Sequence, residues 1–323
     1  MSFIGQILTI IAAGIVSAVI TKFLIPFLKK KAGQNIREEG PESHQSKAGT
    51  PSMGGIAIII AATVCAFAGV LFASGKSATV LMIIFVFLGF GLIGFIDDYL
   101  KVIKKQNEGL KAYQKFGLQL VISIIFVAFL ILHSGRTYLY IPILGVGANL
   151  GWFYGIFEVF VVLAMTNAVN LTDGLDGLAS GVTALVTATF AFMAGVMSLL
   201  PESYFCAALC GACLGFLVFN KNPAKVFMGD TGSLALGGGI AAAVIAMHME
   251  LMIIVVGLLY VIEALSVVLQ VGYFKATHGK RLFKMAPIHH HFEKCGYTEK
   301  QVVTGFWIFT FACCILGIII FYI

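Results

Sequence analysis

The class of this protein is decided by the stretch from Gly94 to Lys105, GFIDDYLKVIKK. It closes an apolar run that begins near residue 78, and it carries two adjacent aspartates followed by lysines. An α-helix needs about 20 apolar residues to cross the roughly 30 Å of hydrocarbon in a bilayer, and basic side chains collect where it emerges. The stretch therefore predicts a membrane-spanning helix that ends at a charged interface.

The same pattern recurs along the whole chain of 323 residues, which is 59% hydrophobic and only 11% charged, with a mean hydropathy of +0.99. Such a composition excludes an ordinary soluble domain. Apolar runs of sufficient length lie near 3–28, 55–74, 78–96, 116–133, 152–170, 178–200, 203–219, 233–248, 250–273 and 302–323. We expect an all-α integral membrane protein of about ten transmembrane helices that forms one polytopic domain, residues 1–323.

The distribution of charge predicts the orientation of these helices. If ten spans alternate in direction, eighteen lysines and arginines fall in one set of loops and only Lys76 and Arg136 in the other. Because basic residues favour the cytoplasmic side, both termini are predicted to lie outside. All five aspartates fall at the predicted cytoplasmic ends, together with lysines and histidines, which is the composition of a site for a divalent metal and phosphate. We expect the active site in a cleft at that face.

Asp97 and Asp98, at the end of the opening stretch, are the first candidate site residues. Two adjacent carboxylates at an interface can share a hard cation through oxygen ligands, as magnesium sites with substrate phosphates commonly do. Lys101, on the next turn, would neutralise phosphate charge. The alternative is an ordinary helix end followed by a basic segment that stops membrane insertion.

The second motif is TNAVNLTDGLDGLASG, from Thr166 to Gly181. Its polar residues recur every three positions, which predicts one polar face on a helix; they are Asn167, Asn170, Asp173 and Asp176. Gly174 permits close approach of the backbone to a ligand. A calcium loop is the rival interpretation, but the alternating ligands and terminal glutamate of an EF-hand are missing.

The third motif is NKNPAKVFMGDTGSL, from Asn220 to Leu234. Backbone amides at a glycine-rich helix start favour an anion, and Asp230 is a candidate ligand for its metal. Phe227 offers an aromatic face for stacking on a base. Alternatively, Asp230 or Thr231 simply caps the helix.

Two further motifs flank these three. KAGTPSMGG, from Lys47 to Gly55, is typical of an inner loop when taken alone. APIHHHFE, from Ala286 to Glu293, carries three adjacent histidines in what we predict to be a polar loop. Because neighbouring side chains on a helix or strand point in different directions, the three cannot share one face. Imidazoles can donate hydrogen bonds to phosphate or bind a metal.

Together and in this order, the five motifs closely resemble those of the phospho-N-acetylmuramoyl-pentapeptide-transferases, and the resemblance covers essentially the whole chain. One departure is Ser52, where the family usually has threonine, and it keeps the hydroxyl. The resemblance implies that UDP-MurNAc-pentapeptide and undecaprenyl phosphate react to give lipid I and UMP, with Mg²⁺ as cofactor. It also implies a multi-pass protein of the bacterial cell membrane that acts at its cytoplasmic face in peptidoglycan biosynthesis. A homodimer is compatible with the family, and no nucleic acid partner is expected.

The resemblance also implies roles for individual residues. Asp230 matches a magnesium ligand, Asp97 an aspartate that deprotonates the lipid phosphate with Asp98 beside it, and Asp173 a catalytic or phosphate-positioning group. His289 matches a catalytic residue beside the substrate. The implied substrate-binding residues are Lys47, Ser52, Lys101, Asn170, Gly174, Leu175, Asp176, Asn220, Phe227, His289, His290 and His291.

Two other functions are alternatives at this stage. A sibling transferase that moves N-acetylglucosamine-1-phosphate to the same lipid would share the aspartates but carry a different last cytoplasmic loop. An ion-coupled transporter would place its acidic residues near the midplane, where only Glu158 and Glu263 come close. Direct attack by the lipid phosphate and a two-step route through an aspartyl-phosphate use the same carboxylates, so both mechanisms stay open.

Overall fold

The structure is a computed structural model that describes residues 2–31, 49–72, 78–104 and 109–323. Its helices are α1 (Ser2–Lys31), α2 (Gly55–Phe72), α3 (Ala78–Asp98), α4 (Ala112–Ser134), α5 (Phe153–Thr172), α6 (Leu178–Val196), α7 (Leu200–Asn220), α8 (Gly229–Ala246), α9 (Met252–Val256), α10 (Leu258–Ala276), α11 (Ile288–Lys294) and α12 (Glu299–Tyr322). A single π-helical turn, Tyr99–Ile103, continues α3. The all-helical prediction is confirmed for the spans.

Nine of the helices in the described ranges are long and apolar enough to cross a membrane. The predicted second span, α2, is apolar over Gly55–Leu71 and is slightly shorter than the others. The predicted run 250–273 is divided, because Gly257 separates α9 from α10. Glycine has the highest conformational freedom of any residue, which explains why the helix breaks there.

One element departs from the all-α prediction. Strands β1 (Tyr138–Ile141) and β2 (Val146–Asn149) pair antiparallel between α4 and α5. The strands are short and partly exposed, so their hydrophobic signal was too weak to be separated from a loop. They lie near the end of α8, where Tyr138 stacks on His248.

Helix α8 is the most enclosed part of the bundle. In its most apolar window 89% of the residues are buried inside the protein, against 22% in α1 and in α10. Its sequence is mainly glycine and alanine, and small side chains let neighbouring membrane helices approach closely. A Cβ at Gly94 of α3 would overlap the backbone carbonyl of Asp230, so the end of α3 packs directly against the start of α8. This contact brings the first and third aspartate motifs together.

Candidate active site

Asp98 joins the end of α3 to the start of α8. Its carboxylate accepts hydrogen bonds from the backbone N–H of Asp230 at 3.2 Å, and from the N–H and hydroxyl of Thr231 at 2.9 and 2.6 Å. The first N–H groups of a helix have no partner within the helix, so a carboxylate there is strongly favoured. Asp98 therefore caps α8 from another helix, and the predicted catalytic role of Asp98 stays a prediction.

Asp97 and Asp230 share two lysines. Lys101 Nζ lies 2.5 Å from Asp97 Oδ2 and 3.2 Å from Asp230 Oδ2. Lys115 Nζ, from α4, lies 2.8 Å from Asp230 Oδ2 and 3.8 Å from Asp97 Oδ2. Two ammonium groups thus balance two carboxylates that are 133 positions apart in the chain. This carboxylate–lysine cluster, Asp97, Lys101, Lys115 and Asp230, forms the centre of the candidate site.

The two carboxylates of the cluster differ in their access to solvent. The Asp97 side chain is 2% exposed, and its Oδ1 accepts the backbone N–H of Leu110 at 2.7 Å. The Asp230 side chain is 20% exposed, and its Oδ1 accepts the amide of Asn170 at 2.9 Å. That amide also reaches the Ser233 hydroxyl at 2.8 Å. Asp230 is therefore the carboxylate of the pair that a ligand can reach.

Asp173 follows the last residue of α5, and it is not on the helix. The predicted continuous polar face is wrong beyond Thr172: Asn167 and Asn170 are helical, whereas Asp173 and Asp176 lie in the turn before α6. The turn carries glycines at 174 and 177, which favour departure from helical geometry. Gly177 has a φ of +78°, in the left-handed region.

The carboxylate of Asp173 makes no hydrogen bond within the part of the chain that the structure describes. Burial, together with the negative charges of Asp230, Asp98 and Asp176, raises the pKa of Asp173 to about 8. These four carboxylates interact because the fold brings their loops together. A bound cation would relieve the repulsion between them.

Asp176 connects three segments of the candidate site. Its Oδ2 accepts the backbone N–H of Ala224 at 2.9 Å and the amide of Asn222 at 3.3 Å, while its own N–H donates to Glu299 Oε1 at 2.7 Å. Asn222 also donates to Glu299 Oε2 at 2.7 Å. Glu299 begins α12, so the last helix is tied to the second and third motifs.

The remaining predicted nucleoside contacts lie around the same turn. Asn220 is 3% exposed; its oxygen accepts from Gly177 N–H at 3.2 Å and from the Ser180 hydroxyl at 2.9 Å, and its amide donates to the Val226 carbonyl at 3.0 Å. Leu175 is buried and Phe227 is half-buried. Direct contact of these side chains with a nucleoside stays a prediction.

The KAGTPSMGG motif forms a short backbone ladder with the third motif. Pro51 accepts the N–H of Phe227 at 2.8 Å, and Gly54 donates to the carbonyl of Phe227 at 2.9 Å. Ser52, inside this ladder, is 2% exposed and lies beside Gly229 and Asp98. Lys47 lies outside the described residues.

The three histidines are on a short helix, α11, so the predicted loop is wrong. The prediction that they face different ways is confirmed. His289 is fully buried, with Nδ1 at 3.0 Å from Glu263 Oε2. His290 pairs with Glu293 at 2.8 Å, and His291 accepts the backbone N–H of Lys284 at 3.1 Å. Successive helical residues are rotated by about 100°, so the three rings reach different partners, although the rings of His289 and His290 stay in contact with centroids 4.2 Å apart.

Several residues of the site were missed from sequence. Lys115 was counted only as an orienting charge, although it contacts Asp230 at 2.8 Å. Glu299 and Asn222 gave no motif signal of their own. Glu263 did give a signal in the sequence. A carboxylate inside an apolar span costs free energy and therefore needs a polar partner. That partner is His289.

Comparison with known proteins identifies the family. Residues 80–248 match the model of glycosyl transferase family 4, and residues 47–59 match signature 1 of the phospho-N-acetylmuramoyl-pentapeptide-transferases. The chain is 48% identical over 320 residues to phospho-N-acetylmuramoyl-pentapeptide-transferases of Bacillus thuringiensis (strain Al Hakam) and of Bacillus cereus (strains AH187 and G9842). Each alignment covers 98% of this chain and 98% of the relative.

The chain belongs to the phospho-N-acetylmuramoyl-pentapeptide-transferase family.

The family 4 match and the full-length matches cover different parts of the candidate site. The family 4 region contains Asp97, Asp98, Asp173 and Asp230, but it ends before α10. The histidine helix lies outside that region and is covered by the full-length alignments with phospho-N-acetylmuramoyl-pentapeptide-transferases. The carboxylate–lysine cluster is thus part of the broader fold, and the histidines belong to the part matched by the narrower family.

Proposed function

We propose that this chain transfers phospho-MurNAc-pentapeptide from UDP-MurNAc-pentapeptide to undecaprenyl phosphate, giving lipid I and UMP. The observation that carries the proposal is the carboxylate–lysine cluster at the ends of two membrane-spanning helices, where Asp97 and Asp230 share Lys101 and Lys115. The full-length likeness to transferases of that name supports the same reaction. A site at the end of the spans suits a reaction between a soluble donor and a membrane lipid.

In this reaction a phosphate oxygen of the lipid attacks the phosphorus next to the sugar. The bond from that phosphorus to the bridging oxygen breaks, and UMP leaves with the bond's electron pair. Negative charge on the two phosphates is the main obstacle, and positioned cations lower it. Lys101 and Lys115 are the side chains of the cluster that supply positive charge to the phosphates.

The hydrogen-bond partners of each aspartate indicate a different role for it in the reaction. Asp97 is buried and already accepts hydrogen bonds on both oxygens, so it can take the proton of the lipid phosphate only when Lys101 turns towards the substrate. An entering phosphate attracts Lys101, so binding of the phosphate is coupled to the release of Asp97 for proton uptake. Asp173 has a free carboxylate and is suited to positioning. Asp98 keeps Asp230 in position by capping α8.

The residues of the cluster fit a magnesium ion held partly by substrate. Within the described ranges, no three Asp, Glu, His or Cys side chains converge into a cage of their own. Magnesium commonly binds one or two carboxylates and completes its shell with water and substrate phosphates. Asp230, partly exposed, would hold it, with Asp97 or Asp173 nearby. When bound, the ion would neutralise charge on the pyrophosphate.

The donor is proposed to bind across the turn after α5. Gly174, Leu175, Asp176 and Phe227 would hold the uracil, with Ser52 and Asn220 beneath them and Lys47 beside the nucleoside. The His289 ring lies against Gly174, and His289, His290 and His291 would face the phosphate or the sugar–peptide end. The concentration of lysines at this end of the bundle supports a cytoplasmic orientation.

The proposed function is tested by UMP release from the purified protein with undecaprenyl phosphate and Mg²⁺, with UDP-MurNAc-pentapeptide or UDP-GlcNAc as donor. We expect release only with the muramoyl donor. Release with UDP-GlcNAc alone would identify the sibling transferase, and no release from folded protein would refute the proposal. With the donor but no lipid, one equivalent of UMP per protein indicates the aspartyl-phosphate route, and none indicates direct attack.

A further inference from the structure

A fully buried acid–histidine pair lies beside the candidate site. Glu263, in α10, and His289, in α11, are both 0% exposed, and Glu263 Oε2 lies 3.0 Å from His289 Nδ1. An ionised group buried without a partner costs several kcal/mol, so the two side chains stabilise each other. The pair connects α10 with α11.

The contact with Glu263 fixes which nitrogen of His289 faces the site. A carboxylate only accepts hydrogen bonds, so Nδ1 carries the proton in this contact and Nε2 is the remaining atom. His289 Nε2 is buried and makes no hydrogen bond with any described residue. A Cβ added at Gly174 would overlap Nε2 and its two neighbouring ring carbons. That edge of the ring therefore lies against the turn that carries Asp173 and Asp176.

A purely structural pair does not account for this free nitrogen. Buried polar atoms are almost always hydrogen-bonded, and an unsatisfied one is expected to meet a ligand or water. The neighbouring histidines differ, because His290 contacts Glu293 and His291 contacts the Lys284 backbone. Among the three, only the ring oriented by a buried carboxylate keeps an unpartnered nitrogen next to the carboxylate motifs.

We propose that Glu263 is a positioning residue that holds His289 with Nε2 towards the substrate, where a protonated ring donates a hydrogen bond to an anionic phosphoryl oxygen of the nucleotide sugar. The negative charge of Glu263 balances the imidazolium. This inference rests on the proposed function. A carboxylate behind a functional histidine commonly changes activity by about 10- to 100-fold when it is replaced.

The test compares UMP release by the parent protein, Glu263→Gln, His289→Gln and the double variant. We expect Glu263→Gln to lower kcat about 10- to 100-fold, with the KM for undecaprenyl phosphate unchanged. In the His289→Gln background, the same substitution should change kcat by less than about twofold, because a residue that acts through His289 has nothing left to act on. Glu158→Gln is the matched control: Glu158 is also 0% exposed in a membrane helix, and this variant should keep parental kcat.

Two outcomes overturn the proposal. The first is an equal loss of kcat from Glu263→Gln with and without His289, which would indicate a structural role. The second is parental kcat in Glu263→Gln. If the glutamine variant does not fold, Glu263→Asp decides: it keeps the charge and should retain more kcat than His289→Gln, and an equal or greater loss refutes the role. An inactive parent protein would refute the proposed function instead and would be recognised before any variant is measured.

Discussion

Acidic residues lie at both ends of α8, and they have opposite surroundings. At the start of the helix, Asp230 accepts hydrogen bonds from Lys101, Lys115 and Asn170. Beyond its other end, Glu250 accepts only the Tyr154 hydroxyl at 3.1 Å, and its second oxygen makes no hydrogen bond with the residues described. Neither oxygen of the neighbouring Glu158 makes one.

The nearby cation, Arg136, forms no ion pair with the described acids at this second end, although its positive charge acts to lower the pKa of Glu250. Arg136 donates at 2.8 Å to the carbonyls of Ile245 and Ala246, which are unpaired C=O groups at the end of α8. Burial raises the pKa of Glu250 to about 7, and burial, together with the positive charge of Arg136, lowers the pKa of His248 to about 4. Acidic residues alone therefore do not indicate a phosphate site, whereas cations placed between carboxylates do indicate one.

The largest expected difference in kcat between the two ends of α8 comes from removing one acid at each end. Asp230→Ala should reduce kcat for UMP release by about 1,000-fold or more, because it removes the accessible carboxylate and leaves two lysines uncompensated. Glu250→Gln should stay within about threefold of the parent protein, since it is isosteric and far from the reaction. Comparable losses from both substitutions would contradict the assignment of the site to the start of α8.

A second prediction concerns the lysine that the motifs did not reveal. Lys115→Ala should lower kcat about 100-fold, because charge-assisted contacts to phosphate and carboxylate are lost together. Lys111→Ala is the matched control: it removes a lysine one turn earlier, for which no contact with Asp97 or Asp230 is found. If the two variants lower kcat equally, Lys115 contributes only to the general positive charge at this end of the helix bundle.

The smallest expected effect is a pH dependence of stability at the other end of α8. Glu250 has a folded pKa of about 7 against an ordinary value of 4.5, so the folded state binds more protons and stability falls as pH rises through 7. His248 acts in the opposite sense, but only between its folded value of about 4 and its ordinary 6.5. From pH 6.5 to 8.5, Glu250 alone should lower the free energy of unfolding by about 1 kcal/mol, because the folded-state carboxyl is already partly ionised at pH 6.5.

This dependence is measured as the thermal unfolding midpoint, using a thiol-reactive dye that reports exposure of the six buried cysteines. The parent protein should lose about 1 to 3 °C more than Glu250→Gln over that pH range. Asp173 titrates in the same range, so the difference between the two proteins is the decisive quantity. Parallel curves would show that Glu250 is already ionised at pH 6.5.

The carboxylate motifs were predictable because each is local in sequence. Asp97 and Asp98 end an apolar span, and Asp230 stands at a glycine-rich helix start; these patterns can be recognised without knowing what lies opposite. The turn after Thr172 was misjudged, since a three-residue spacing fits a helix and the two glycines that end it were given less weight. The histidine helix was misjudged for the opposite reason, because a helix of only seven residues, five of them polar, gives little periodic signal.

The sequence by itself determined that this chain is a membrane protein, and that its aspartates gather at the ends of apolar runs. Patterns of hydropathy and charge extend over one helix length, so they can be recognised directly in the sequence. The tertiary structure alone decided that Lys115 balances Asp230, that Asp98 caps a helix 131 residues away and that Glu263 orients His289. Those pairings depend on which helices pack together, and close packing through glycine at 94 decides the central one, the contact of α3 with α8.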